Sequence, residues 1–135
     1  MIIRNASATD EAAIIALWQA CGLVVEDNDP ARDFDFVMAS PNYALFVACD
    51  GDGIVGSIVM GHDSTRGWLS HVSVAPAARR GGVGAELVRA AEAWLAERGV
   101  TRIHLTVRAT NAAVVRFYES VGYSTQPSIL MEKHL

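Results

Sequence analysis

The sequence predicts an α+β fold: a mixed, mostly antiparallel central sheet with helices on both faces. Three observations predict it. Apolar residues recur at helical spacing toward both ends of the chain and as strand-like runs in the middle. The middle runs follow one another across short turns rich in Gly and Asp, which makes an antiparallel meander. Finally, 135 residues, 51% hydrophobic and 19% charged with a mean hydropathy of +0.23, suit a single domain over residues 1–135 with one core. A chain of this size buries roughly two-thirds of its unfolded surface, so it needs neither disulfides nor a metal to fold.

Ile2-Ile3-Arg4 is a short strand. Thr9 is the expected N-cap of a helix over residues 10–21, with Asp10 and Glu11 in its first turn and Ile14, Leu17, Trp18 and Cys21 at helical spacing. Gly22 closes it. After the acidic turn Glu26-Asp27-Asn28-Asp29-Pro30, a second helix spans about residues 30–39 and ends at Ser40-Pro41. Strands follow at Tyr43 to Cys49, Ile54 to His62 and Trp68 to Val74, joined by the hairpin turn Asp50-Gly51-Asp52-Gly53 and a turn over residues 63–67. A helix from about Gly82 carries Leu87, Val88, Ala91, Trp94 and Leu95 on one face and stops at Arg98-Gly99. Thr101 to Val107 is a strand, Asn111 starts a last helix that Gly122-Tyr123 ends, and Ile129-Leu130-Met131 is a final strand.

Composition excludes several classes of function. A formal net charge of -4 is the wrong sign for a nucleic-acid binder. Cys21 and Cys49 are too few for a disulfide framework and read as buried free thiols. The N-terminal residues lack the pattern of a signal peptide, no window is apolar enough to span a bilayer, and the last residues carry no lipidation box, so a cytoplasmic location is expected.

The segment from Val74 through Gly84 carries the strongest chemical signal. It reads as strand, loop and helix, with Gly81, Gly82 and Gly84 where the helix opens and Arg79 and Arg80 beside them. Glycine admits positive φ and close approach, and a helix start offers unpaired N–H groups with partial positive charge, so the segment suits a phosphate. A P-loop would need Lys-Ser or Lys-Thr after the last glycine, where Ala85-Glu86 stands. A dinucleotide fingerprint would need glycine at Leu87 and a parallel βαβ unit. What remains is Arg79-x-x-Gly82-x-Gly84 after Val74-x-Pro76, together with a second block: Asn111, Tyr118 seven residues later, then Gly122-Tyr123.

With both blocks in order, the sequence resembles the GCN5-related N-acetyltransferase (GNAT) family over nearly its whole length. That family's signatures are Gln/Arg-x-x-Gly-x-Gly/Ala and Asn-x-x-Ala-x-x-x-Tyr; Val114 stands here in the alanine place. Within the family the chain is most similar to the small bacterial YpeA-type acetyltransferases, through the Leu17-Trp18 helix followed by Asn28-Asp29-Pro30 and an acidic second helix. The resemblance implies the GNAT acyl-CoA N-acyltransferase fold, acetyl-CoA as co-substrate and no metal. It implies a cofactor site at Val72, Val74, Arg79, Arg80, Gly81, Gly82, Val83, Gly84, Ala85, Asn111 and Tyr118. In it the strand before the loop splays from the next strand, the Val74 N–H faces the thioester carbonyl, and N–H groups from Arg80 to Ala85 hold the pyrophosphate. Arg79 or Arg80 reaches the 3′-phosphate, and Tyr118 is the general acid for the departing thiolate.

The general base stays open. In the family's protein N-terminal acetyltransferases the place of Thr106 often carries Glu or His, and threonine cannot serve. His104, on the same expected strand face, His71, Glu26, Asp27 or a water chain are the alternatives. The acids Glu26, Asp27, Asp29, Asp33 and Asp35 either attract a cationic amine or form a solvated loop. Trp94 reads as core, Trp18 as facing the sheet or the acceptor cleft, and Trp68 as a strand end or an oligomer contact. The leading expectation is an acetyl-CoA-dependent N-acetyltransferase acting on a small-molecule or peptide amine, without nucleic-acid or membrane partners. A homodimer is compatible with the exposed sheet edges. The alternatives are a catalytically silent acyl-CoA sensor and an acetyltransferase of protein N-termini or lysines.

Overall fold

A computed structural model describes residues 1–51 and 53–135. Asp52, in the expected hairpin turn, lies outside the described residues. The chain divides into two compact units, Met1–Leu105 and Thr106–Leu135.

The first unit holds five strands and three helices. In order they are β1 (Ile2–Asn5), α1 (Glu11–Ala20), α2 (Pro30–Ala39), β2 (Tyr43–Asp50), β3 (Gly53–Asp63), β4 (Arg66–Val74), α3 (Val83–Glu97) and β5 (Arg102–His104). Short 3-10 turns at Ala8–Asp10 and Pro76–Ala78 precede α1 and α3. The strands form one sheet in the order β1-β2-β3-β4-β5, antiparallel except for the parallel β4–β5 pair.

Two of the helix starts follow from local chemistry. Asp29 caps α2 by accepting the Ala31 N–H at 3.0 Å, and Pro30 supplies a preset φ at the first helical position. The chain enters α1 through the 3-10 turn, so Thr9 caps neither: Ser7 caps the turn and Asp10 stands at the N-cap of α1, where it accepts the Ser7 N–H at 2.8 Å and pairs with Arg4 at 2.7 Å. Arg4, then the Ser7 N–H, hold the Asp10 carboxyl down at about 2. Threonine at position 9 is already inside the turn, where its side chain cannot reach back to the first N–H groups.

Strand alternation distributes the core over both faces of the sheet. On one face, Ile14 and Trp18 of α1 and Phe34 and Val37 of α2 pack with Leu45 and Val47 of β2 and Val59 of β3. The intervening residues Ile58 and Met60 point to the other face, where α3 brings Leu87, Val88, Ala91 and Leu95, all fully buried. Each of the larger side chains among these contributes about 1.5–3 kcal/mol relative to exposure. Gly56 belongs to this contact: a Cβ there would stand 2.9 Å from Leu87 Cδ1 and from Val83 Cγ1. Trp94 is only half-buried, with the Arg98 guanidinium 3.7 Å above its ring, so it covers the edge of the core and is not part of it. Cys21 and Cys49 are free and partly exposed, not fully buried.

The second unit holds α4 (Ala112–Ser120) and no strand among its described residues. Two expectations fail here. The strand expected over residues 101–107 is confined to Arg102–His104, because β4 offers a ladder only over Arg66–Trp68. Residues 129–131 are irregular, and Ile129, Leu130 and Met131 are 88, 74 and 87% exposed. High β-propensity makes a strand only where a neighbouring strand accepts its backbone groups.

Gly56→Ala forces two methyl groups and the Ser73 carbonyl, 3.1 Å away, to move. Urea denaturation of this variant is expected to show a loss of about 1–3 kcal/mol, the usual cost of overpacking. Unchanged stability would show that α3 docks less tightly than these distances state.

Candidate active site

The C-terminal half of β4 is where the sheet opens. Its pairing with β5 stops at Trp68–His104, so from Leu69 onward β4 has lost β5 as a neighbour. On its other side β4 stays paired with β3, but irregularly. Val59 pairs with Ser70 and Ser57 with Ser73, so the single residue Ile58 faces both His71 and Val72. This is a β-bulge, and His71 takes a left-handed φ of 50° within it. Beyond the bulge, Ala75 N–H donates to the Val55 carbonyl at 2.7 Å. The alternation of an antiparallel ladder then turns the backbone groups of Val74 away from β3. The Val74 carbonyl accordingly accepts from Cys21 Sγ at 3.4 Å and from Arg79 Nε at 3.2 Å. The Val74 N–H shares that free edge, with Val72 two residues before it.

A buried polar chain secures the bulge. Trp18 Nε1 donates to Ser57 Oγ at 3.1 Å, and Ser57 Oγ lies 2.6 Å from Ser73 Oγ. Both serines are essentially inaccessible to solvent. Sequence patterning gives no sign of this chain: an isolated serine in an apolar strand carries no signal until its partner across the sheet is known.

The loop after β4 supports the anion reading in its backbone and revises it in its side chains. Arg80 and Gly82 both adopt left-handed conformations, with φ of 72° and 80°, and Gly82 caps α3 without any side-chain cap. Alternating backbone handedness at a helix start gathers successive N–H groups into a concavity suited to an anion. A Cβ at Gly82 would meet nothing within 4 Å, so the requirement there is conformational. Gly81 is exposed, Val83 is buried, and Gly84 and Ala85 are half-buried in the first turn. Arg79 turns its guanidinium back toward Val74 and Cys21 Sγ, the latter at 3.7 Å, so it braces the strand end. Arg80 is exposed. An open hollow of about 510 Å³ borders Ala78, Arg79, Gly81 and Val83, but it also touches Asp50 and Val55. It therefore lies on the β2–β3 side of the loop, away from the free edge of β4.

In the second unit, Asn111 caps α4 by accepting the Val114 N–H at 3.3 Å. Tyr118 is buried, with the rings of Phe117 and Tyr123 at 5.0 and 5.7 Å, and burial pushes its hydroxyl up to about 12.

The open question of the base narrows. Thr106 lies outside β5, so it no longer shares a strand face with His104. His104 stacks near Trp68 at 5.2 Å, and its buried Nδ1 has no hydrogen-bond partner among the described residues. Glu26 and Asp27 are exposed, and Asp29 is committed to capping α2. His71 stands 4.5 Å from the Trp18 ring, and its pKa is lowered by burial, opposed by Asp33. No group of residues suited to a metal ion is found among the described residues, and no helix there is long and apolar enough to cross a membrane.

Two predictions follow from this geometry. Ser57→Ala leaves Trp18 N–H and the Ser73 hydroxyl short of a partner and should cost about 1–3 kcal/mol in urea denaturation. His71 is harder to protonate folded than unfolded, so the unfolded chain binds the proton first. Stability is then full above the ordinary value of 6.5 and is lost as pH falls through 6.5 toward the lower folded value. Denaturation midpoints of the wild type should fall across that range more steeply than those of His71→Asn; parallel curves would contradict the burial of a neutral ring.

Residues 11–123 match the model of the acetyltransferase (GNAT) family. An acetyltransferase of Pectobacterium atrosepticum is 36% identical over 136 residues, covering 100% of this chain and 96% of that protein. Among solved structures, AAC(6')-Iy in complex with the bisubstrate analogue CoA-S-monomethyl-acetylneamine superposes with a TM-score of 0.86 at 17% identity, covering 99% of this chain and 97% of that one. An aminoglycoside acetyltransferase from an uncultured soil metagenomic sample, in complex with sisomicin, does so with a TM-score of 0.82 at 16% identity, covering 99% and 95%. The fold is shared with these two structures, and by family model and relative alike the chain belongs to the GNAT family and is an acetyltransferase.

Proposed function

We propose that the protein transfers an acetyl group from acetyl-CoA directly to a primary amine of a small cationic acceptor. The observation that carries this reading is the free edge of β4, which presents the Val74 N–H one short loop before an uncapped helix start. Acetyl-CoA supplies an acyl carbon activated by a thiolate leaving group. The residues present suit it: a backbone donor for a carbonyl oxygen, then a concave run of N–H groups from Arg80 to Ala85 for a pyrophosphate.

In this reading the Val74 N–H stabilises the negative charge that develops on the carbonyl oxygen as the amine attacks. Cys21 and Arg79 hold the Val74 carbonyl, in the peptide that follows the donor, and so fix residue 74 from its C-terminal side. Gly82 lets the loop backbone adopt the curvature that the N–H concavity requires, and Arg80 is the exposed cation nearest to it in sequence. Asn111 fixes the start of α4 and Tyr118 donates its hydroxyl proton toward the departing sulfur. Burial keeps this phenol protonated at neutral pH, so it hydrogen-bonds the sulfur as the C–S bond breaks and passes on its proton as the thiolate forms. Relatives in shape that are solved with sisomicin or with an acetylneamine conjugate support an amine as the acceptor.

The test is release of free CoA thiol from acetyl-CoA over a panel of small amines and peptides. Tyr118→Phe should lose about 100-fold in rate, and the wild-type rate should stay level through pH 10, since the phenol titrates near 12. A phenylalanine variant as fast as the wild type would remove Tyr118 from the mechanism, and a wild-type rate that falls around pH 10 would show a phenol titrating at its ordinary value. Tight acetyl-CoA binding with no turnover on any amine would make the protein an acyl-CoA-binding module, and modification confined to peptides would make it a protein acetyltransferase.

A further inference from the structure

Of the described non-glycine residues with left-handed backbone, Ser64, His71 and Arg80, only His71 lies within a strand. It sits in the β4 bulge with a left-handed φ of 50°, a backbone state that costs a side chain conformational energy within a strand. A glycine would hold the same bulge without strain. The ring is held in return: Trp18 of α1 lies against it at 4.5 Å, and Nδ1 lies 3.3 Å from Ser70 Oγ. Strain that persists because packing holds it is a mark of a functional position.

The neighbourhood connects this ring to the free edge of β4. Trp18 and Cys21 are three residues apart at the end of α1 and so project from the same side of the helix. The first touches His71 and the second touches the Val74 carbonyl. The end of α1 thus bridges the bulge and the residue whose N–H is read above as the oxyanion donor. From α2, Asp33 is the charged group that acts on His71; α1 faces it with the uncharged indole of Trp18, and β3 opposes the bulge with Ile58.

We propose that His71 is the general base of acetyl transfer, accepting the proton of the acceptor's ammonium group at the β4 bulge, where its half-buried ring and the half-buried Asp33 reach solvent. This assignment rests on the amine-transfer reading above. With Nδ1–H donated to Ser70 Oγ, the Nε2 lone pair takes one proton from R–NH3+ and leaves R–NH2. The amine nitrogen then bonds to the thioester carbon, and the C–S electron pair leaves with sulfur, which takes a proton from Tyr118. The nitrogen's surplus proton restores the tyrosine through solvent, and His71 releases its own proton to solvent. One amide, one thiol and one proton result. Asp33 adds a negative charge that favours a cationic acceptor and stabilises the imidazolium once formed.

The experiment compares wild type, His71→Asn and Asp33→Asn by kcat/KM for an amine acceptor from about pH 5.5 to 9.5, alongside acetyl-CoA affinity. Asparagine tolerates the left-handed backbone, so the bulge is retained. His71→Asn should lose about 10²–10⁴-fold at pH 7, the usual range for a lost base. It should lose the acidic limb below pH 6.5, bind acetyl-CoA as before, and recover rate toward the pKa of the free amine. Asp33→Asn should move that limb to lower pH, because the carboxylate that raises the His71 pKa is gone. A His71→Asn enzyme with the wild-type rate and limb overturns the assignment while leaving amine transfer intact. A wild type without turnover on any amine overturns both. Should the variant fail to fold, an NMR titration of the wild-type ring decides: His71 charged at pH 7 refutes the base role, and a neutral ring that responds to amine supports it.

Discussion

β4 loses β5 as a neighbour after three residues, and the rest of the site depends on that early divergence. A parallel pair that continued would consume the backbone groups of Leu69 to Val74 in an ordinary ladder. Because it stops, a run of main-chain donors and acceptors faces outward along one edge. Buried or half-buried peptide groups without partners are costly, so such an edge persists where something else satisfies it. Cys21 and Arg79 do this for the Val74 carbonyl. The Val74 N–H lies on the same edge, turned away from β3.

An edge that open has to be held by packing elsewhere. The long ladder to β3 anchors β4 from the opposite side, and α1 and α3 clamp β3 and β4 between them. The close approach of α3 is possible because position 56 has no side chain, and the bulge is stabilised by Trp18, Ser57 and Ser73. A satisfied buried polar chain costs little to maintain, but it fixes geometry, since each member has one acceptable partner. It therefore sets where the bulge falls, and the bulge in turn sets where His71 points. The same core, through Trp18, also holds the strained backbone at His71.

These dependencies explain which parts of the molecule were legible in the sequence. Periodicity revealed the helices and the meander, and cap chemistry located α2 through Asp29-Pro30 and α4 through Asn111. The glycine loop was legible because glycine marks backbone states that other residues avoid. Local propensity cannot rank Thr9 against Ser7 as a cap, because the advantage of Ser7 comes from Asp10 and Arg4. Residues 101–107 and 129–131 look like strands by composition, yet strand length is set by the partner, and no local signal encodes where β4 stops pairing. The positive φ of His71 was invisible for the same reason: the bulge is a property of the register between β3 and β4.

Charge is likewise arranged by position. The net charge of -4 conceals a division within the first unit between an anion-suited helix start at Arg80 to Ala85 and the acids of residues 26–35. Structure divides those acids further. Asp29 is spent on a helix cap, and Glu26, Asp27 and Asp35 are exposed, where water screens them. Asp33 alone among them is half-buried and acts on a ring in the β4 bulge. A charge in that setting has more effect than several in solvent, because the surrounding dielectric is lower. Asp33 is thus the one acid of this cluster whose charge is felt at the β4 bulge, while the exposed acids act weakly and in a salt-sensitive way.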